Sequence, residues 1–239
     1  MAFRFYGINP VTEALRSPQV PYHITIASGK DNPGLSQIRA LARDHGVPVS
    51  EARNLDQLAG NPGHQGVVAE LAEDGVKGVP RDGVDTDRII IFDGLQDPHN
   101  FGAALRVCEC FGWTTIIFHK GNSCGVTPTA IKVSAGAYFH VKVYASNLNS
   151  AVRRLQETGY TIWAFEGDGD AVLGEIEPPK KLALVIGSEG KGVRFAIKRL
   201  ADKVVSIPLG GSVNSLNVSC ALSSALTCLR IQENTTETK

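Results

Sequence analysis

From Arg88 onward, strongly apolar strand-like runs alternate with amphipathic stretches: "RIIIFDGL", "TTIIFHK", "VKVYA", "YTIWAFEG", "KLALVIG" and "KVVSIPL" read as strands, all but "YTIWAFEG" followed by helix-patterned sequence. A strand that is apolar on both faces must be covered on both faces. Such alternation therefore predicts a doubly covered, mostly parallel sheet in an α/β fold. Residues 1–74 repeat the theme on a smaller scale, with "YHITIAS", "VPVSEA" and "QGVVAEL" as strands among short helices, which predicts a separate small α/β domain. In that part Asn9 is expected to cap a first helix, and Asn32 a second that Gly46 stops. The stretch "EDGVKGVPRDGVDTD", rich in Gly, Pro and charge, has no periodicity, so residues 75–87 read as a linker to a second domain, 88–239. A fragment beginning near Asp85 is expected to stand on its own.

The chain carries 24 basic and 24 acidic residues, 6 against 8 of them in residues 1–74, so any nucleic-acid surface has to be a local patch. No apolar run reaches the length of a membrane span, and "MAFRFYGINP" has the pattern of neither a secretion signal nor a transit peptide, which points to the cytoplasm. Five cysteines without metal-ligand spacing read as buried, reduced thiols, and no metal is expected.

In a parallel sheet, ligands collect beyond the carboxyl ends of the strands, and three such loops stand out. In "DGLQDPHNFGAALRV", Asn100 is placed to cap a helix, and Arg106 lies one turn beyond Gly102, where its stem can lean over the bare glycine toward the strand ends. In "LVIGSEGKGV", Gly187, Gly190 and Gly192 surround Ser188 and Glu189, which allows close backbone approach to a ligand beside a carboxylate. It is neither a Walker loop nor a dinucleotide fingerprint, and "FDGLQDPHNFG" has the wrong glycine spacing for a nicotinamide-dependent oxidoreductase. In "IPLGGSVNSLNVSCALSSAL", Gly210 and Gly211 suggest a sharp bend through positive φ, and Ser215 a cap for a last helix running from about 215 to 232. Taken singly, each loop could be an ordinary turn.

Together and in this order, "NFGAALR", "IGSEGKG" and "IPLGGSVNSLNVSCA" resemble the three signature motifs of the SpoU family of RNA ribose 2′-O-methyltransferases. "YGINPVTEAL" and "HQGVVAEL" resemble the small L30e-like RNA-binding domain that some members carry. The resemblance implies a SPOUT catalytic domain with a deep trefoil knot, S-adenosylmethionine as cofactor, a homodimer, and an RNA substrate, 23S rRNA ahead of tRNA. It also implies cofactor contacts at Gly187, Ile207, Leu209, Leu216 and Asn217. The catalytic set it implies is Asn100, Arg106, Glu189, Ser215 and Asn217, with Arg106 on the target phosphate, Asn100 and Ser215 positioning the nucleotide, and Glu189 orienting Arg106 or Asn100. His99 and Ser188 receive no role. An RNA-binding protein without catalysis is the remaining alternative class.

Overall fold

A computed structural model describes residues 2–30, 32–80, 83–212 and 215–237; Arg81 and Asp82 of the expected linker, and Val213 and Asn214 of the third motif, lie outside the described residues. In chain order the first elements are β1 (Phe3–Tyr6), α1 (Ile8–Arg16), β2 (His23–Ala27), α2 (Pro33–Asp44), β3 (Val49–Ala52), α3 (Asp56–Ala59) and β4 (Val67–Leu71). There follow β5 (Lys77–Gly78), β6 (Arg88–Asp93), α4 (Pro98–Cys110), β7 (Thr115–His119), α5 (Pro128–Val133), β8 (Lys142–Ser146) and α6 (Leu148–Glu157). The last are β9 (Thr161–Phe165), β10 (Ala171–Val172), β11 (Leu182–Gly187), α7 (Phe195–Lys198), β12 (Lys203–Ser206) and α8 (Val218–Glu237).

Two compact units result, one of residues 1–76 and 126–140, the other of 77–125 and 141–239. The first has a four-stranded sheet in the order β1-β4-β2-β3, with β2 and β3 parallel and β4 antiparallel to both of its neighbours. α1 begins after Gly7, whose φ of 105° sets the entry, so Asn9 lies inside the helix and caps nothing. Asn32 does cap α2, accepting from the Leu35 amide at 3.0 Å, with Pro33 in the first turn. The stretch expected as one helix over "TPTAIKVSAGAYFH" breaks where Ala135 and Gly136 take φ of 55° and 97°, leaving α5 and a 3₁₀ turn, Ala137–His140.

The second unit holds an eight-stranded sheet in the order β10-β12-β9-β11-β6-β7-β8-β5, parallel at every pairing. Within the expected linker, Lys77–Gly78 pair with Tyr144 and Ala145 as an edge strand. Alternate side chains of the central strands serve opposite faces. Ile89, Ile91, Ile117, Ala183 and Val185 pack with Leu148, Val152 and Leu155 of α6. On the other face the Phe101 ring of α4 meets Phe92 at 5.3 Å and Phe118 at 5.6 Å, edge to face. The apolar runs are thus explained by double burial. All five cysteines are free, but only Cys108 is buried; Cys110 and Cys220 are exposed, since each sits off the apolar stripe of its helix.

Candidate active site

β6 leads to β7 and β8 on one side of the sheet, whereas β9 to β12 lie on the other with β11 against β6, so the connections diverge between β6 and β11. Crevices open beyond the carboxyl ends of strands at such a point. The register puts Asp93, the last residue of β6, opposite Gly187, the last of β11, so the first two motif loops start side by side.

The loop after β11 folds tightly on itself. Ser188 and Gly192 exchange backbone hydrogen bonds of 3.2 and 2.9 Å, with Gly190 and Gly192 at φ of 76° and 63°. Its returning strand passes so near that a Cβ on Gly187 would lie 2.0 Å from the Gly192 carbonyl carbon and 2.2 Å from the Val193 nitrogen. Glycine at 187 is thus required by the approach of the chain to itself. Gly210 differs from expectation: it is not among the positive-φ glycines, and an added Cβ would meet nothing within 4 Å. Its missing side chain leaves open space rather than permitting a turn.

A cavity of about 530 Å³ lies here, lined by Gly187, Glu189, Ile207, Leu209, Ser215 and Leu216 together with Glu166 and Asp168 after β9. That volume is in the range of roughly 300–1,000 Å³ typical of small-molecule sites. Leu209 and Leu216 are each 40% exposed, an apolar surface offered to the cavity and left uncovered by the protein.

The Asn217 side chain ties the three loops together. Its Nδ2 donates to Asn100 Oδ1 at 2.9 Å and to Glu189 Oε1 at 2.6 Å. Its Oδ1 accepts from the Ser219 amide at 2.9 Å and the Ser219 hydroxyl at 2.7 Å. Both donor hydrogens and both acceptor sites are used, so a flipped amide would set oxygen against oxygen, and the orientation is unique. Asn217 also caps α8, the place expected for Ser215, and the helix starts three residues later than expected. Asp97 rather than Asn100 caps α4, accepting from the His99 amide at 2.9 Å; Asn100 sits inside the first turn, free to reach Asn217. Arg106 is exposed on α4 and has no hydrogen bond or ion pair among the described residues, so the geometry joins Asn100, Glu189 and Asn217 but not Arg106.

Four charged residues about these loops were not singled out from sequence: Asp93, Glu166, Asp168 and Arg194. Asp93 ends an apolar strand, which is a usable signal; Glu166 and Asp168 follow another strand end within "FEGDGD". The fully buried Asp93 carboxylate accepts from Arg194 Nε at 2.6 Å and from the Arg194 backbone amide at 2.9 Å. His119, at the end of β7, is held below the usual histidine range by burial, with the Arg194 charge adding to the effect.

Two family models match the chain. The SpoU rRNA Methylase family is matched over residues 87–227, and the family described as "RNA 2'-O ribose methyltransferase substrate binding" over residues 5–74. The chain is 34% identical to the 23S rRNA (guanosine-2'-O-)-methyltransferase RlmB of Xanthomonas campestris, with 90% of each covered. It is 33% identical to RlmB of Escherichia coli, over 92% of this chain and 95% of that protein. Among solved structures, the SpoU methyltransferase AviRb from Streptomyces viridochromogenes in complex with AdoMet superposes with a TM-score of 0.82 at 21% identity, covering 98% of this chain and 91% of that one. A TrmH/SpoU tRNA modifying enzyme from A. aeolicus, at 25% identity and a TM-score of 0.58, covers 64% of this chain and 78% of its own.

Proposed function

The chain belongs to the SpoU rRNA methylase family, and we propose that it transfers the methyl group of S-adenosylmethionine to a ribose 2′-hydroxyl, that of a guanosine in 23S rRNA. The observation that carries this is the Asn217 amide, which draws the three motif loops together at the rim of a cavity beyond the strand ends. The cavity suits the cofactor. Three carboxylates, Glu166, Asp168 and Glu189, face a molecule with a sulfonium and an ammonium, and Leu209 and Leu216 offer apolar surface to a flat purine. When bound, S-adenosylmethionine supplies an electrophilic methyl group. Relatives named as 23S rRNA methyltransferases cover 90% or more of the chain, and a substrate-binding family matches residues 5–74, which favours rRNA over tRNA.

The protein then has two tasks: to hold the 2′-oxygen in line, and to ease loss of its proton. Arg106, exposed and without a partner among the described residues, binds the target phosphate as a planar fork, and its positive charge favours ionisation of the neighbouring hydroxyl. A guanidinium does not give up its proton in proteins, so Arg106 acts as a fixed charge and not as a base. Asn100 and Ser215 position the nucleotide, and Glu189, through Asn217, fixes Asn100. Residues 1–74 hold the RNA, and the catalytic part lies within 88–239, its C-terminal segment threaded as a trefoil knot. The enzyme works as a cytoplasmic homodimer, and the 61% exposed Ile231 on α8 suits a buried place against a second copy.

Ribose methylation would be mapped in rRNA and tRNA from a strain lacking the protein, beside calorimetric titration with S-adenosylmethionine. A single lost 2′-O-methylguanosine in 23S rRNA, restored by the purified enzyme, is the expected result. A loss confined to tRNA would overturn the substrate assignment, and absence of cofactor binding would overturn the enzyme.

A further inference from the structure

The loop bearing Glu189 is fastened at its exit by two carboxylates from neighbouring strands. Val193 donates its backbone amide to Glu166 Oε1, after β9. Arg194 gives Asp93, at the end of β6, both its backbone amide at 2.9 Å and its Nε at 2.6 Å. Asp93 is fully buried, whereas the Arg194 side chain is about a third exposed, so the carboxylate, packed in the sheet, is the fixed partner. Charge-assisted donors arriving as a pair fix direction as well as distance.

The consequence lies five residues earlier in the chain. Asp93 opens the segment that carries Asn100, and Arg194 closes the segment that carries Glu189. These two side chains must present their acceptors to the two hydrogens of one Asn217 amide, which tolerates little error in their separation. We propose that Asp93 is a positioning residue, which through Arg194 sets the spacing between the Asn100 and Glu189 loops that Asn217 bridges. This rests on the methyl-transfer reading for its consequence in catalysis, but not for its consequence in structure. An ion pair that only stabilised the fold would affect melting without separating kcat from cofactor affinity.

The test uses the full chain with Asp93→Asn, Arg194→Gln and both together. Misplacement of a catalytic group by a fraction of an ångström lowers kcat by about 10- to 100-fold, and that loss is expected with Kd for S-adenosylmethionine within about threefold of wild type. The double variant is expected to be no worse than the more damaged single, since one interaction is removed either way. Hydrogen exchange, read without any substrate, is expected to show the Val193 and Arg194 amides losing at least about tenfold protection in D93N. Should D93N fail to fold, R194Q carries the same comparison with the carboxylate intact. Unchanged amide protection in the folded variants would overturn the clamp whatever the activity. Active wild type with unchanged kcat in both single variants would overturn its role in positioning, and inactive wild type would instead count against methyl transfer.

Discussion

A methyl group, once added at position 187, has nowhere to go. The nearest atoms, at 2.0 to 2.3 Å, are the backbone of Gly192 and Val193, and backbone cannot swing aside as a side chain does. Gly187→Ala must therefore push the Glu189 loop off its strand, at roughly 1–3 kcal/mol or more of overpacking strain. The expected outcome is a lowered melting temperature together with at least ~10-fold weaker binding of S-adenosylmethionine by calorimetry. Normal binding and normal melting would show the approach to be looser than described. Arg106 presents the opposite case, being exposed and without a partner among the described residues. Arg106→Ala is expected to keep fold and cofactor affinity while lowering methyl transfer at least ~100-fold, the scale of a lost preorganised charge. Arg106→Lys is expected to rescue little, because an ammonium cannot make the forked contact. Steady-state kinetics with methylation-deficient rRNA decide this, and near wild-type kcat in either variant would remove Arg106 from the site. The two residues also differ in legibility. Gly187 and Arg106 both stand out in the motifs, but only the folded chain shows how closely the backbone of Gly192 and Val193 approaches Gly187.

Elements are legible in sequence where periodicity has one cause, and ambiguous where two causes compete. α6 and the central strands obey their apolar patterns, and Asn32 caps α2 as its place before Pro33 suggests. At the last helix, however, Ser215, Asn217 and Ser219 all have cap chemistry, and three-dimensional partners settle the choice on Asn217. Its two roles can be separated. Aspartate caps as well as asparagine but donates no hydrogen bond, so Asn217→Asp keeps α8 while setting a carboxylate against Glu189. Helicity by circular dichroism is expected to hold, and methyl transfer to fall by roughly 5- to 150-fold, the range for a polar partner left unmatched. Loss of helix content along with activity would mean that the cap, not the bridge, matters. The break in "TPTAIKVSAGAYFH" was hidden for another reason, since nothing local forces Ala135 to a φ of 55°. The 3₁₀ turn beyond the break is held by the first unit: Phe139 stacks tilted on Phe5 at 5.0 Å, His140 Nε2 lies 2.7 Å from Glu13 Oε2, and the Tyr138 hydroxyl donates to the Asp74 carbonyl. Phe139 is 4% exposed, so Phe139→Ala is expected to lose about 3–5 kcal/mol in urea unfolding, and a change below ~1 kcal/mol would deny it a core place.

For the whole molecule, the apolar pattern identifies the kind of chain that folds and says almost nothing about how its parts are shared. The Gly- and charge-rich stretch near residue 80 marks a change between the two units, yet residues 126–140, far along the sequence, belong with 1–76. No pattern reports this, because burial of Ala130, Ile131 and Phe139 looks the same from sequence whichever unit covers them. The chain therefore passes between the units three times, after residues 76, 125 and 140, and the first unit is incomplete without a segment from the middle of the second. A fragment beginning at Asp85 keeps residues 126–140 but lacks β1, α1 and the strands they complete, so Ile131, Tyr138 and Phe139 lose the cover that folds them. The expectation of a free-standing catalytic half gives way to a firmer one. The fragment from Asp85 is expected to bind a hydrophobic dye, to aggregate on warming, and to melt below the full chain, even where part of its cofactor affinity survives. In the full chain, unfolding the first unit frees a segment whose two ends are anchored in the second, so a single calorimetric transition is expected instead of two. Two well-separated transitions, together with a fragment that is soluble, binds no dye and melts where one of them does, would show the units to be thermodynamically independent and segment 126–140 to be a passenger of the first.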